Sequence, residues 1–225
     1  MLFPFPTDWQ TALVLMPHPD DPEYGVAAAV AKWSTAGKSV VYVLASRGEA
    51  GIEGMAPAAA GPAREIEQRE SARIVGVESI EFWNFPDSAI QNTPELRAAI
   101  TEVITRVQPQ VIISIYGGPG WGPEYLNQSD HIEFAAAVLQ AYDALDDKPR
   151  WLFENSPDVT HVEEVRDFVG VAVESLAAHA QYLSVLDPAT PVVEQARAQV
   201  ETVTAAREDY DNQRVVTFEL KRRTR

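Results

Sequence analysis

The sequence has no cysteine among its 225 residues. Disulfides, thiolate nucleophiles and cysteine-based zinc sites are thereby excluded, and any metal must be held by histidine, aspartate, glutamate or water. Histidine is scarce, with four in the chain. Basic residues are few: 18 Lys and Arg stand against 33 Asp and Glu, for a net charge of −15. Such a chain lacks the basic face that a phosphate backbone requires, which argues against nucleic acid and against an anionic membrane surface as partners. The one basic cluster, KRRTR at 221–225, reads as a solvated tail. No apolar run approaches the roughly 20 residues of a membrane span. The N-terminal MLFPFPTDWQ lacks the basic start and apolar stretch of a signal peptide. The expected location is the cytoplasm.

Strand-like and helix-like segments alternate. TALVLM (11–16), SVVYVLAS (39–46), SIEFWNF (79–85), VIISIY (111–116) and WLFE (151–154) read as strands. Helices are expected at about 23–36, 64–75, 94–107 and 130–145, the first ending at Gly37 and the third bounded by Pro94 and Pro109. Two Gly-rich loops follow strands, at 47–63 and 117–129. Beyond residue 155 the pattern is mainly helical, with VVTFEL (215–220) as an edge strand. This order predicts one α/β domain over 1–225, Rossmann-like, with a mostly parallel sheet, helices on both faces and a core at about 11–155. Sites in such sheets form at the carboxyl ends of the strands. GGPGWG lacks the spacing of a phosphate cradle.

The stretch VLMPHPDDPEYG (14–25) lies at such a strand end. Asp21 could cap a helix, with Pro22 in its first turn and Glu23 favoured by the helix dipole. Capping needs one carboxylate, however, and leaves His18 and Asp20 unexplained. Two carboxylates beside an imidazole concentrate negative charge, which a cation would compensate. His18 and Asp21, three residues apart in a proline-restricted turn, can converge on one ion, while Asp20 points elsewhere and can act on a bound water. Imidazole plus carboxylate suits zinc in a three-ligand site. Asp130 and His131 follow the fourth strand. They could be an N-cap and a surface residue, but strands one and four are often neighbours, which makes His131 the best third ligand. His161 reads as a loop residue, and His179 as a packed or half-exposed helical one.

PHPDDPEYG after a strand, SRGEAG (46–51), REIEQRESARIVGV (64–77), FPD (85–87) and SDH (129–131) together resemble the PIG-L/LmbE-like zinc-dependent N-deacetylases, over about residues 12–145. ESLAAHAQYL (174–183) resembles a helix of actinobacterial-type members. The resemblance implies a Rossmann-like fold and hydrolysis of an acetamide on an amino sugar or similar small molecule. It implies His18, Asp21 and His131 as ligands of one zinc and Asp20 as general base. It places Arg64 and Asp87 near the substrate, although Arg64 could equally pair with Glu67 on a solvated helix. Trp121 and Tyr125, with the 47–63 loop, are candidates for a sugar-binding rim. Two features depart from the family pattern. Pro22 stands between the aspartates and Glu23 and should only tighten the turn. The usual His-Pro-Asp-His reads QSDH here, so Gln128 replaces a histidine. Its amide can donate a hydrogen bond but cannot transfer a proton, so Asp20 would serve as both base and acid, or another residue would supply the proton. The rivals are a hydrolase of a different, thiol-conjugate amide and a metal-binding member that has lost catalysis. The sequence leaves a homo-oligomer open.

Overall fold

The computed structural model describes residues 2–122 and 125–224. Its strands are β1 (Phe3–Pro4), β2 (Thr11–Met16), β3 (Ser39–Leu44), β4 (Ser79–Phe82), β5 (Val111–Ile115), β6 (Gly120–Gly122), β7 (Tyr125–Leu126), β8 (Trp151–Asn155), β9 (His161–Glu164), β10 (Ala206–Arg207) and β11 (Gln213–Arg223). The helices are α1 (Asp21–Gly25), α2 (Ala27–Thr35), α3 (Pro57–Ile74), α4 (Pro94–Val107), α5 (Ser129–Ala144), α6 (Val169–Ala177), α7 (Ala180–Leu186) and α8 (Val192–Val203).

Among the described residues, one large sheet runs in the order β1-β9-β11-β8-β5-β2-β3-β4. The five strands from β8 to β4 are parallel, while β11 lies antiparallel to both β8 and β9. Both central strands are buried and, apart from Ser114, apolar there: all five residues of β5 are buried, as are Ala12 to Met16 of β2. That is the signature of strands covered on both sides. Each fully buried side chain such as Leu13 or Leu15 contributes roughly 1.5–3 kcal/mol through removal from water.

From β2 the chain steps outward through β3 to β4, whereas from β5 it steps the other way to β8. Right-handed crossovers in opposite directions place their helices on opposite faces. Accordingly α4 packs with α5, while α1, α2, α3, α6 and α8 pack among themselves. The order reverses between β2 and β5, and the loops after these two strands open into the same crevice. The expected adjacency of the first and fourth predicted strands is realised in this pair.

Several expectations need correction. The helix predicted over 23–36 is two helices, broken at Val26. A Cβ on Gly25 would come within 2.7 Å of the Asn155 side chain, so glycine leaves room there for that side chain against α1. The 47–63 segment is loop only to residue 56. Pro57 opens α3 seven residues earlier than predicted, because proline suits the first helical turn and the alanines after it are the best helix formers. VVTFEL belongs to an interior strand, not an edge: β11 is enclosed by β8 and β9. The basic cluster is no solvated tail up to Arg223. Lys221–Arg223 end β11, with Arg222 Nη2 2.8 Å from Asp143 Oδ2 and Lys221 Nζ 3.1 Å from Glu219 Oε1. Arg225 lies outside the described residues. His161 starts β9 and is not in a loop. Beyond residue 155 the chain returns three strands, β9, β10 and β11, to the main sheet among its helices, β10 pairing with β11 alone. No single helix among the described residues is long and apolar enough to cross a membrane.

Candidate metal centre and active site

The turn after β2 is tightly held. Ser46 donates through both its backbone N–H and its hydroxyl to the Pro17 carbonyl, each at 3.0 Å. Asp20, ahead of α1, has a left-handed backbone with φ 83°, which costs a non-glycine residue roughly 1–3 kcal/mol and persists only where the surroundings impose it. Here they do. The Asp20 N–H donates to Gln68 Oε1 at 2.7 Å, and its carbonyl accepts from Glu23 and Tyr24. The Gln68 amide is itself fixed, its Nε2 lying 3.1 Å from both oxygens of the buried Glu23 carboxylate. His179 Nε2 sits 3.3 Å from Glu23 Oε2. His179 is thus fully buried, the packed alternative of the expected reading and not a ligand position, although it lies just ahead of α7 and not within a helix.

Asp21 does not cap α1 with its side chain. Its carboxylate accepts the His18 N–H at 2.8 Å and faces two imidazoles, His18 Nδ1 at 3.4 Å and His131 Nε2 at 3.3 Å. His18, Asp21 and His131 are all buried, and each offers one ligand atom within 4.8 Å of the others. Burial works to raise the Asp21 carboxyl, but the facing His131 and His18 outweigh it and hold it well below the usual carboxylate range.

Both imidazoles are oriented by neighbouring side chains, of which Asn127 was not singled out in the sequence. Asn127 Nδ2 donates to the Tyr116 and Gly118 carbonyls at 2.8 and 2.9 Å, which fixes Asn127 Oδ1 as an acceptor. That oxygen lies 3.1 Å from His131 Nδ1, so Nδ1 carries the proton and Nε2 presents a lone pair. Nε2 is buried and has no hydrogen-bond partner among the described residues. On the other side, His18 Nε2 lies 3.1 Å from Asp130 Oδ2 and 3.2 Å from Asp87 Oδ1, leaving Nδ1 toward Asp21. Asp130 also accepts the Ile90 N–H, so it is not the N-cap of α5, a position held by Gln128. An imidazole whose far nitrogen is tied to an amide or carboxylate is the usual arrangement behind a metal ligand. A buried lone pair without a donor, a carboxylate and a second oriented imidazole fit a divalent cation. His18, Asp87 and Asp130 also lie within ligand distance of one another, but Asp130 and Asp87 are engaged with backbone N–H groups.

Asp20 stands beside this cluster, buried, with Oδ1 3.0 Å from Arg64 Nη2. Burial pushes its carboxyl up to about 6, against the pull of the Arg64 guanidinium. Arg64 does not pair with Glu67, which instead accepts the Gln181 N–H. A cavity of about 440 Å³ opens here, lined by His18, Asp20, Asp21 and His131 together with Arg64, Asp87, Trp121 and Gln128. Gln128 is exposed, and its side-chain amide makes no hydrogen bond to another described residue. Asp87 touches the cavity but also anchors the neighbouring loop, its Oδ2 accepting the Ala50 N–H at 2.7 Å. Tyr125, on the same hairpin as Trp121, is 71% exposed and is not among the residues lining the cavity. Residues 123 and 124 of that loop lie outside the described residues.

The family described as PIG-L, GlcNAc-PI de-N-acetylase, matches residues 13–142, which span both halves of this centre. The chain belongs to the PIG-L family. It is 29% identical over 185 residues to a probable N-acetyl-alpha-D-glucosaminyl L-malate deacetylase 2 of Bacillus anthracis, covering 75% of this chain and 79% of the relative. Among solved structures, the N,N′-diacetylchitobiose deacetylase of Pyrococcus horikoshii superposes with a TM-score of 0.80 at 20% identity, covering 95% of this chain and 84% of that one. The 4-carboxy-2-hydroxymuconate hydratase GalB of Pseudomonas putida superposes with a TM-score of 0.68 at 18% identity, covering 96% and 98%. The PIG-L fold thus hosts more than one reaction, and the side chains of the site must identify the chemistry.

Proposed function

We propose that this protein is a zinc-dependent hydrolase that removes an acetyl group from the amide nitrogen of an N-acetylglucosamine-like small molecule. The observation that carries the reading is the pairing of two differently tuned carboxylates on one turn. Asp21 is held ionised between His18 and His131, and Asp20 beside them is raised by burial to about 6. His18, Asp21 and His131 would hold the ion. A nitrogen and carboxylate set without sulfur suits zinc, which supplies Lewis acidity toward a carbonyl and a readily deprotonated water.

The chain's own groups do the rest. Asp20, with a carboxyl raised to about 6, takes a proton from the attacking water and returns it to the departing amine, since a base is most effective near the operating pH. Arg64 keeps the Asp20 carboxylate in place, and the Gln68 contact keeps its backbone in the conformation that aims it. Gln128, on the lining of the same cavity, donates toward the substrate oxygen. Asn127 and Asp130 hold the two imidazoles. Trp121 offers a face on which a sugar ring can pack. The cytoplasmic location expected from the sequence remains part of this proposal.

The test is amine release from a panel of N-acetylated amino sugars and thiol-conjugate amides, before chelation, after chelation and after zinc is restored. Release that tracks zinc and favours amino sugars supports the reading. Release unaffected by chelation, or confined to the thiol-conjugate amides, overturns it.

A second reading rests on Gln128. It stands where the family's pattern has histidine, which favours a metal-binding member without catalysis. Gln128→His separates the two: in an active enzyme it tunes an existing rate, whereas in an inactive member it creates a rate from none.

A further inference from the structure

His179 is a buried histidine that belongs neither to the metal centre nor to the proton transfer. It lies between α6 and α7. Its N–H donates to the Leu176 carbonyl at 3.1 Å, and its own carbonyl accepts from the Leu183 N–H at 2.9 Å. Two helices therefore fix its backbone, and its ring is fully buried. Ring Nε2 meets Glu23 Oε2 at 3.3 Å. A carboxylate accepts, so Nε2 carries a proton and donates. Nδ1 is buried without a hydrogen-bond partner among the described residues. The contact with Glu23 is thus the one polar bond the ring makes there.

Glu23, on α1, is 1% exposed. Its carboxylate has left water and depends on the donors around it. Among the described residues the side chains that hydrogen-bond to it are His179 and Gln68. Gln68 comes from α3 and is fully buried. Its Nε2 faces both Glu23 oxygens, which leaves Oε1 for the Asp20 N–H at 2.7 Å. Were this amide turned over, its oxygen would face a carboxylate and its NH2 would face an N–H, and both contacts would repel. The Glu23 carboxylate therefore selects the amide orientation that Asp20 needs. Asp20 needs it because its φ of 83° persists only where the surroundings impose it. The series His179, Glu23, Gln68, Asp20 runs from the α6–α7 junction to the turn after β2, and every one of its bonds is buried.

We propose that His179 is a positioning residue for Asp20, acting through Glu23 and Gln68. With the imidazole in place, the Glu23 carboxylate has a donor from each neighbour and stays turned to Gln68. Without it, the carboxylate loses one of its two donors and turns, the Gln68 amide loses its fixed orientation, and the Asp20 backbone relaxes from its left-handed conformation. The Asp20 carboxyl then moves away from Arg64 and out of line for proton transfer. This rests on Asp20 being the base of the deacetylase reading, and the test includes one readout that needs no turnover.

His179→Gln, His179→Asn and His179→Leu are compared in zinc-loaded protein, with folding checked by far-ultraviolet dichroism. Glutamine places an amide nitrogen where Nε2 stands, asparagine reaches only the place of Nδ1, and leucine fills the space without a donor. The glutamine variant should keep kcat within a few-fold of wild type. The asparagine and leucine variants should lower kcat by roughly tenfold to a hundredfold, with KM and bound zinc unchanged. On an Asp20→Asn background the same two substitutions should cost nothing further, because the group they position is gone. The second readout is exchange of the Asp20 amide proton, followed by 15N NMR. It should quicken by roughly fivefold or more in the asparagine and leucine variants and not in the glutamine variant, while the amides of α5 stay unchanged.

A leucine variant that equals or exceeds the glutamine variant in kcat shows a packing role and overturns the inference. So does a further loss on the Asp20→Asn background. So does failure of His179→Gln to fold, since a donor would then not be what the position supplies. If the asparagine and leucine variants do not fold, Gln68→Leu, one link nearer Asp20, must show the same loss of kcat at unchanged KM, and a wild-type kcat there overturns the inference. If the wild-type protein releases no amine, the deacetylase reading falls and exchange at Asp20 alone decides. Faster exchange without the donor leaves the positioning role standing, and equal rates in all variants overturn it.

Discussion

The two walls of the cavity are built on opposite plans. On the floor, from Pro17 to Asp21 and at Asn127, Asp130 and His131, side chains are tied to named partners. Asp20 is fixed through Gln68, His131 through Asn127 and His18 through Asp130. At the mouth, Trp121, Leu186 and Gln128 are exposed, and neither Trp121 nor Gln128 makes a side-chain hydrogen bond to another described residue. A preorganised floor costs no reorganisation when charge develops, which is what chemistry requires. An exposed apolar rim offers surface against which a ligand can pack. The floor is therefore where substitutions should abolish function, and the mouth is where they should redirect it.

That division can be broken or sharpened in order of effect. His131→Ala removes the nitrogen whose lone pair lacks any described partner, so bound zinc should fall from one per chain toward none and activity to background. Elemental analysis alongside a far-ultraviolet dichroism spectrum checks this, and a folded variant that keeps its metal contradicts it. Asn127→Ala leaves the ligand but frees its ring. Metal affinity should drop by roughly 10–100-fold, read from competition with a chelator. An unchanged affinity would mean that Asn127 serves the loop alone.

A third effect appears in the metal-free protein. Burial lowers the His18 imidazole, but the Asp130 and Asp21 carboxylates outweigh it and raise it from 6.5 to about 10. A raised base contributes stability that is fully present below pH 6.5 and lost as pH climbs through about 10. The Tm of the chelated protein should therefore fall across that window, and the zinc-loaded protein should fall less, because the ion takes the place of the proton. Parallel curves would argue against His18 as a ligand. The smallest effect belongs to the mouth: Trp121→Ala should raise KM several-fold with kcat nearly unchanged, the mark of lost uniform binding. A fall in kcat of similar size would show that the rim also positions the reacting group.

The sequence was informative where a single physical cause dominates. TALVLM and PELRAAITEVITRV have the bounds of β2 and α4 because an uninterrupted apolar run and a Pro-to-Pro amphipathic window leave little choice. Membership of the PIG-L family was legible in the ordered motifs. The start of α3 was hidden because glycine, alanine and proline together read as loop, although proline followed by alanines is also a strong helix start. The interior place of β11 was hidden because pairing partners distant in sequence decide whether a charged strand is enclosed. Asn127 and Gln68 were missed because an amide that orients another residue leaves no periodicity. The available signal was an amide four residues ahead of His131, two residues before the start of α5. The mouth of the cavity was legible only in part: Trp121 could be read as rim, but Leu186 comes from a helix far along the chain.

The most direct measurement is made on Asp20→Asn, which keeps the shape of the turn and removes the base. The account predicts one zinc per chain as in the wild type, an unchanged KM, and a kcat lower by roughly 10²–10⁴-fold. A variant that binds zinc and retains the wild-type kcat would contradict the assignment of Asp20 as the group that moves the proton.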